Sequence, residues 1–139
     1  MRQNYVALVL LAILGLLAGA AVGQTYPAKT IRLIVPYPPG GGNDILARVF
    51  GQKLTEAWGQ QVIVDNRAGA ATTIGTALAA RAAPDGYTLL LSSIASHGVS
   101  PNLYRNPGYD PVRDFAPITP TIIGATASSV IGAKSLTGS

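Results

Sequence analysis

The chain has 139 residues, of which 48% are hydrophobic and only 12% are charged, so it carries enough apolar side chains for a folded core and is too apolar for a disordered protein. Its formal net charge is +4, but the ten Lys and Arg residues are spread along the chain, and this pattern does not favour nucleic-acid binding. It contains no cysteine, which excludes disulfide bonds, thiolate metal sites and a cysteine nucleophile.

The first 23 residues have the pattern of a secretory signal peptide. Arg2 precedes an uncharged run at residues 5–23 that ends in small residues, and cleavage after Ala20 or after Gly23 fits the usual rule. An uncleaved membrane anchor is the alternative, because a run of about 19 residues is near the lower length for a membrane span. We therefore expect residues 24–139 to be exported, and export without cysteines favours a bacterial periplasmic domain.

Beyond residue 23, short apolar runs alternate with segments of helical periodicity. The apolar runs predict strands at residues 31–36, 62–65 and 87–92. The periodic segments predict a helix from residue 43 or 44 to residue 58 and another at residues 74–83. This βαβαβ order predicts an α/β fold with a parallel sheet and right-handed crossovers.

The ends and the buried faces of these elements follow from the residue types. Asn43 or Asp44 is expected to cap the first helix and Gly59 to end it, while Thr72 or Thr73 caps the second. One broad face of the first helix is predicted to be apolar, with Ile45, Leu46, Val49, Phe50, Leu54 and Trp58. A further strand is predicted near residues 115–119, residues 121–131 have no clear period, and residues 133–139 are expected to be a frayed tail.

Three loops are expected to meet at one edge of the sheet, because ligands of parallel sheets bind beyond the carboxyl ends of the strands. We call them the first loop (residues 38–44), the second loop (residues 68–73) and the third loop (residues 92–97). The first two lead into helix N-termini, which favour anions, and the glycines let a ligand approach the backbone. No Lys-Ser/Thr follows the glycines, which argues against a nucleotide P-loop, so a carboxylate is the first candidate.

Other kinds of site find little support in the sequence. His97 is the only histidine, and the Gly-x-Ser-x-Gly pattern of a hydrolase nucleophile is absent. No cluster of His, Asp and Glu has the spacing of metal ligands. A dinucleotide site is also disfavoured, since the first loop lacks Gly-x-Gly-x-x-Gly and Pro38-Pro39 removes two N–H groups. We therefore predict no catalytic residue, no metal and no cofactor, and small polar loops that merely turn tightly are the alternative to a binding site.

Several motifs occur in an order that resembles the Bug-type solute receptors of tripartite tricarboxylate transporters. They are YPAKTIRLIVPYPPGGGND at residues 26–44, GQQVIVDNR at 59–67, APDGYTLL at 83–90, the segment 97–104 and YDPVRDF at 109–115. The resemblance implies a periplasmic binding protein-like (type II) α/β lobe. It also implies that the protein is not an enzyme but a receptor that clasps a small carboxylate between two lobes and presents it to membrane transporter subunits.

The resemblance also assigns the ligand-binding residues. They come from the first loop (Pro39, Gly40, Gly41, Gly42, Asn43 and Asp44), the second loop (Ala71, Thr72 and Thr73) and the third loop (Ser92, Ser93 and His97). Asp44 is expected to cap its helix and order the first loop rather than face the carboxylate, because like charges repel.

The sequence departs from this family pattern in two places. Residues 67–75 read Arg-Ala-Gly-Ala-Ala-Thr-Thr-Ile-Gly, where the family usually has Arg-Pro-Gly-Ala-Gly-Gly-Asn-Ile-Gly. The chain is also shorter than family members, so residues 24–139 are expected to be a truncated N-terminal portion of the first lobe, with weak ligand affinity. A non-functional or regulatory fragment without a ligand, and a small anion-handling enzyme domain, are the two alternatives.

Overall fold

The computed structural model describes residues 26–123 and 127–134, so the predicted signal peptide lies outside the described residues. Strands and helices alternate along the first part of the chain. They are β1 (Ile31–Val35), α1 (Gly42–Trp58), β2 (Val62–Asn66), a 3-10 turn (Ala70–Thr72), α2 (Thr73–Ala80), β3 (Thr88–Ser92), a π-helical turn (Ala95–Val99), α3 (Ser100–Leu103), β4 (Phe115–Ile123) and β5 (Ala127–Lys134). Within the described part of the chain, none of the helices has both the length and the hydropathy to cross a membrane.

The strands form one sheet in the order β2-β1-β3-β5-β4. β1 pairs in parallel with β2 on one side and with β3 on the other, with Leu33 opposite both Val64 and Leu89. The predicted parallel βαβαβ unit is therefore confirmed. β5 is antiparallel to both β3 and β4, so β4 runs parallel to β3. Lys134 pairs with Phe115, so residues 133 and 134 belong to a strand and not to the frayed tail that the sequence predicts.

Each face of the sheet packs on one of the two longer helices. On one face, Ile31, Leu33 and Val35 pack with Leu89, Leu91 and Ala47 of α1. On the other, Ile34 and Leu90 pack with α2 and with Tyr109 and Phe115. β3 is buried on both sides at Leu89, Leu90 and Leu91, which is why it reads as a continuous apolar run. The sheet is thereby held with the carboxyl ends of β1, β2 and β3 side by side.

The buried face of α1 agrees with the predicted one only in part, since Leu46 and Phe50 pack against the core as predicted. Ala47 and Gly51 are buried, whereas Ile45, Val49 and Trp58 are exposed. A Cβ built at Gly51 lies 3.6 Å from Val62, so the small residues define the line along which the helix approaches the sheet. Gly59 ends the helix as predicted, in the left-handed conformation and with its N–H donating to Thr55.

Candidate functional site

α1 begins at Gly42, one residue before the earlier of its two predicted starts, Asn43 and Asp44. The N-cap residue is Gly41, with extended backbone angles, and no side chain caps the helix. Its carbonyl oxygen accepts the N–H groups of Asp44 and Ile45, both at 3.0 Å. Asn43 and Asp44 lie inside the first turn, so the prediction that one of them caps the helix is wrong.

The three glycines of this loop make two different contributions: Gly40 supplies a left-handed angle, and Gly41 and Gly42 leave the backbone uncovered. Gly40 has a φ of +84°, a left-handed value that residues with a side chain rarely adopt. Gly41 and Gly42 are exposed, and no atom lies within 3.5 Å of a Cβ built at either. The backbone of the turn is therefore open to solvent, as a ligand that contacts N–H groups would need.

Asp44 explains why the loop holds its shape. Its carboxylate accepts hydrogen bonds from the Nε of Arg48 at 3.0 Å, from the Gly40 N–H at 2.8 Å and from the Nδ2 of Asn66 at 2.9 Å. The Arg48 bond, followed by those from Gly40 and Asn66, lowers the pKa of Asp44 to about 2. The side chain is only 4% exposed, so its charge is directed at its own chain. Asp44 thus orders the loop as predicted, although it does not cap the helix.

Two residues outside the predicted site connect the loops. The Nδ2 of Asn66, at the end of β2, also donates to the Tyr37 carbonyl at 3.2 Å. The Tyr37 hydroxyl forms a short hydrogen bond with the Ser93 hydroxyl, which joins the residue just before the first loop to the third loop. Sequence reasoning missed both residues, although each lies in a motif that carries the family resemblance.

The second loop has an uncommon backbone. Ala70, Ala71 and Thr72 all have left-handed φ values, of 43°, 49° and 77°. Glycine is the usual residue in this region. Thr72 is the N-cap residue of α2, one of the two predicted positions, but its side chain makes no capping hydrogen bond.

The start of α2 lies very close to the end of β1, the strand that precedes the first loop. A Cβ built at Gly75 lies 2.6 Å from the Arg67 carbonyl oxygen and 2.9 Å from the Cβ of Pro36. Only glycine fits at this crossing, and it brings the start of α2 against the end of β1. The first and second loops are neighbours for this reason.

The third loop folds back into a helical turn. Ser93 donates its N–H to the Ser96 hydroxyl at 2.9 Å, and the same hydroxyl lies 3.0 Å from Nδ1 of His97. The buried hydroxyl of Tyr109 donates to the Ser96 carbonyl, which anchors the turn from below. The His97 ring packs against Phe115 at 5.1 Å between centroids, and burial lowers the pKa of His97 because it disfavours the charged imidazolium.

A cleft of about 530 Å³ opens beside the third loop, on the face of the sheet that carries α2. Its lining is mainly apolar and consists of Leu90, Ser92, Ser93, Ile94, His97, Gly98, Pro111, Val112, Phe115 and Pro117. Three predicted site residues, Ser92, Ser93 and His97, therefore line this cleft, while those of the first and second loops lie outside it.

In the described ranges, no group of three His, Asp or Glu side chains is placed to hold a metal ion.

Residues 46–136 match the sequence profile of the family described as tripartite tricarboxylate transporter family receptor. Protein BugT of Bordetella pertussis is 43% identical over 117 residues, which are 79% of this chain and 36% of BugT. The predicted resemblance to the Bug-type receptors is thereby confirmed. The chain spans about a third of the length of the relatives that it matches.

Solved structures of similar proteins agree with the fold. The periplasmic binding protein BugD is 41% identical, with a TM-score of 0.65 over 68% of this chain and 31% of BugD. A protein of R. palustris solved with adipate is 36% identical, with a TM-score of 0.66 over 68% of this chain and 32% of its own. MatC of Rhodopseudomonas palustris, solved with bound malate, is 33% identical, with a TM-score of 0.64 over 67% of this chain and 32% of its own. The predicted α/β lobe of a periplasmic binding protein is confirmed as a partial domain.

Proposed function

We propose that this chain, which belongs to the tripartite tricarboxylate transporter receptor family, forms one wall of a receptor site for a small carboxylate. It works in solute uptake as a non-enzymatic binding protein in the periplasm, after removal of a signal peptide at residues 1–23. Its partners are the carboxylate ligand and the membrane subunits of a transporter. It needs no cofactor, metal or nucleic acid.

The observation that carries this proposal is the junction of three loops at the carboxyl edge of β2-β1-β3. Two of the loops lead into helix starts without a side-chain cap, where N–H groups and the helix dipole favour an anion. The one acid in the junction, Asp44, is paired with Arg48 and turned inward. An anionic ligand therefore meets backbone donors and hydroxyl groups rather than a free negative charge.

The ligand class follows from chemistry and from related structures. The site offers N–H and O–H donors, which suit the oxygens of a carboxylate. Two neighbours of the same fold were solved with the dicarboxylates adipate and malate. The residues proposed to form the site are Pro39, Gly40, Gly41, Gly42, Asn43, Asp44, Ala71, Thr72, Thr73, Ser92, Ser93 and His97. Among them, Asp44 orders the first loop and its carboxylate does not face the ligand.

Backbone NMR of the chain purified from the periplasm tests this proposal. Malate and adipate are titrated separately, and we expect amide shifts that saturate in the first and second loops. The affinity should be weak, because a single wall buries less of a ligand than two. Unchanged spectra with both ligands would favour a fragment without a ligand, and chemical turnover of either would favour an enzyme.

The same preparation tests the export step. The intact mass of the periplasmic product should correspond to cleavage after Ala20 or after Gly23. A membrane-bound product that retains residues 1–23 would contradict the proposed signal peptide and favour an anchor.

A further inference from the structure

β2 is an edge strand whose outward backbone groups can pair with a further strand. In the sheet that the described residues form, β2 lies at one edge and pairs with β1 alone. Arg67, the residue after β2, donates its N–H to the Val35 carbonyl oxygen at 2.7 Å, so the odd-numbered residues of β2 face β1. Because backbone groups alternate in direction along a strand, Val62, Val64 and Asn66 turn theirs away from the sheet.

The outward edge of β2 is blocked only at its start. The Val62 N–H donates to the Thr55 hydroxyl of α1 at 3.0 Å, which leaves the edge open from Val64 onwards. Natural proteins usually protect an edge strand with a lysine, a proline or a bulge. β2 has the sequence Val-Ile-Val-Asp-Asn, and its register with β1 is regular. This edge therefore favours pairing with another chain.

A groove of about 420 Å³ lies between α1 and this edge. Val62 and Val64 line the groove from β2, while Arg48, Gln52 and Glu56 line it from α1. These three residues follow one another at four-residue intervals, so they form one stripe along the helix. The side chains at the two charged ends of the stripe are 57% and 52% exposed. The stripe thus presents a positive charge, a neutral amide and a negative charge in sequence.

The stripe runs in the direction opposite to β2. The Thr55 hydroxyl contacts the first residue of β2, and Arg48 donates to the side-chain oxygen of the last residue at 3.4 Å. Between them, a Cβ built at Gly51 lies 3.7 Å from the Val64 side chain. The middle of the stripe, Gln52, therefore lies beside the middle of the strand.

We propose that β2 pairs antiparallel with β2 of a second copy of this chain, about a twofold axis beside Val64. The two Val64 residues then face each other and exchange N–H···O=C bonds, because both turn these groups outward. The axis places Arg48 of each copy opposite Glu56 of the other and brings the two Gln52 amides together. A parallel arrangement would set like charges against each other, so the stripe selects the antiparallel one.

The charged side chains have bonding capacity left for this contact. Arg48 uses its Nε for Asp44 and one Nη2 for Asn66, and its guanidinium has further N–H donors. Glu56 accepts from Gln52 and Lys53, and a carboxylate accepts more than two hydrogen bonds. One strand edge and one helix stripe make a small interface, so we expect a weak dimer and a monomer in dilute solution.

Sedimentation of the chain purified from the periplasm tests the dimer. The wild type should pass from monomer to dimer as its concentration rises. Glu56→Lys sets a positive charge opposite Arg48 of the other copy and should weaken dimerisation about tenfold. Ala57→Lys is the matched control, because it adds a positive charge to an exposed position of α1 outside the groove. This control should dimerise within about threefold of the wild type.

Crosslinking tests the position of the axis. The chain contains no cysteine, so Gln52→Cys introduces a single thiol beside the proposed axis. A short bismaleimide should link two copies of this variant into a covalent dimer. Lys53→Cys is the control, since residue 53 lies on the same helix outside the groove, and it should link at least about tenfold more slowly.

Each result supports or overturns the proposal. A wild type that stays monomeric at every concentration overturns it. A dimer that Glu56→Lys leaves intact, or that Lys53→Cys links as fast as Gln52→Cys, uses another surface and also overturns it. None of these measurements contains malate or adipate, so failure of the dimer leaves the proposed carboxylate site intact, and failure of carboxylate binding leaves the dimer intact.

Discussion

The carboxylate of Asp44 accepts a hydrogen bond from the N–H of Gly40 at 2.8 Å, which ties together the two ends of the three-glycine turn. Gly40 supplies the left-handed angle of the turn, and Asp44 supplies the anchor from the first turn of α1. The carboxylate is further held by Arg48 and Asn66. The turn is thus ordered by a charge that it does not present to the solvent.

We expect Asp44→Asn to lower the thermal midpoint by several degrees and to speed amide exchange at residues 40–42. The neutral amide keeps the shape of the side chain but loses the charge-assisted bonds from Arg48 and the Gly40 N–H. Circular dichroism and hydrogen exchange measure the two effects. Glu56→Gln is the control, because Glu56 pairs with Lys53 on the exposed surface, where ion pairs contribute little. Equal midpoints for Asp44→Asn and the wild type would contradict the expectation.

The pKa of Asp44 predicts a loss of stability in acid. Its folded-state value of about 2 lies below the ordinary 3.8, so its carboxylate stabilises the fold fully above the ordinary value. That contribution is lost as the pH falls from about 4 towards 2, because protonation removes the hydrogen bonds to the charged oxygen. Urea titrations at several pH values should show a shallower decline for Asp44→Asn than for the wild type. Some decline should persist, since the pKa values of Asp65, Asp85 and Asp110 are also lowered.

Patterns within short stretches of sequence predicted the three parallel strands and the end of α1. Short runs rich in apolar and β-branched residues identified the parallel strands, and Gly59 marked the end of α1. The Tyr37–Ser93 bond joins residues 56 positions apart, which no local pattern reveals. The start of α1 at Gly42 was missed because Asp44 forms tertiary contacts in place of a cap. β5 was missed because its pairing with β3 and β4, and not an alternation of its own, defines it.

Replacement of Ala71 with glycine should stabilise the fold. Ala71 has φ 49° and ψ 50°, a left-handed conformation that costs a non-glycine residue about 1–2 kcal/mol. Glycine removes this cost but gains freedom in the unfolded chain, so the free energy of unfolding should rise by about 0.5–1 kcal/mol. Urea denaturation measures the change. Ala57→Gly on the exposed side of α1 is the matched control, and it should lower the same quantity by about 0.5–1 kcal/mol.

If both alanine replacements lower stability alike, the left-handed strain assigned to Ala71 is wrong. The pair is informative because the chemical change is identical and only the backbone conformation of the two sites differs.

Gly75→Ala should separate α2 from the end of β1. The added Cβ would lie 2.6 Å from the Arg67 carbonyl oxygen and 2.9 Å from the Cβ of Pro36, and neither belongs to a flexible side-chain tip. The helix or the loop must move, which should cost about 1–3 kcal/mol of unfolding free energy, as overpacking does elsewhere. Gly42→Ala is the control, since no atom lies within 4 Å of a Cβ there and alanine suits the first turn of a helix. Because Gly75 lets the first and second loops lie together, Gly75→Ala should also weaken malate binding. A Gly75→Ala protein with the stability of the wild type would show instead that a side chain fits between α2 and β1.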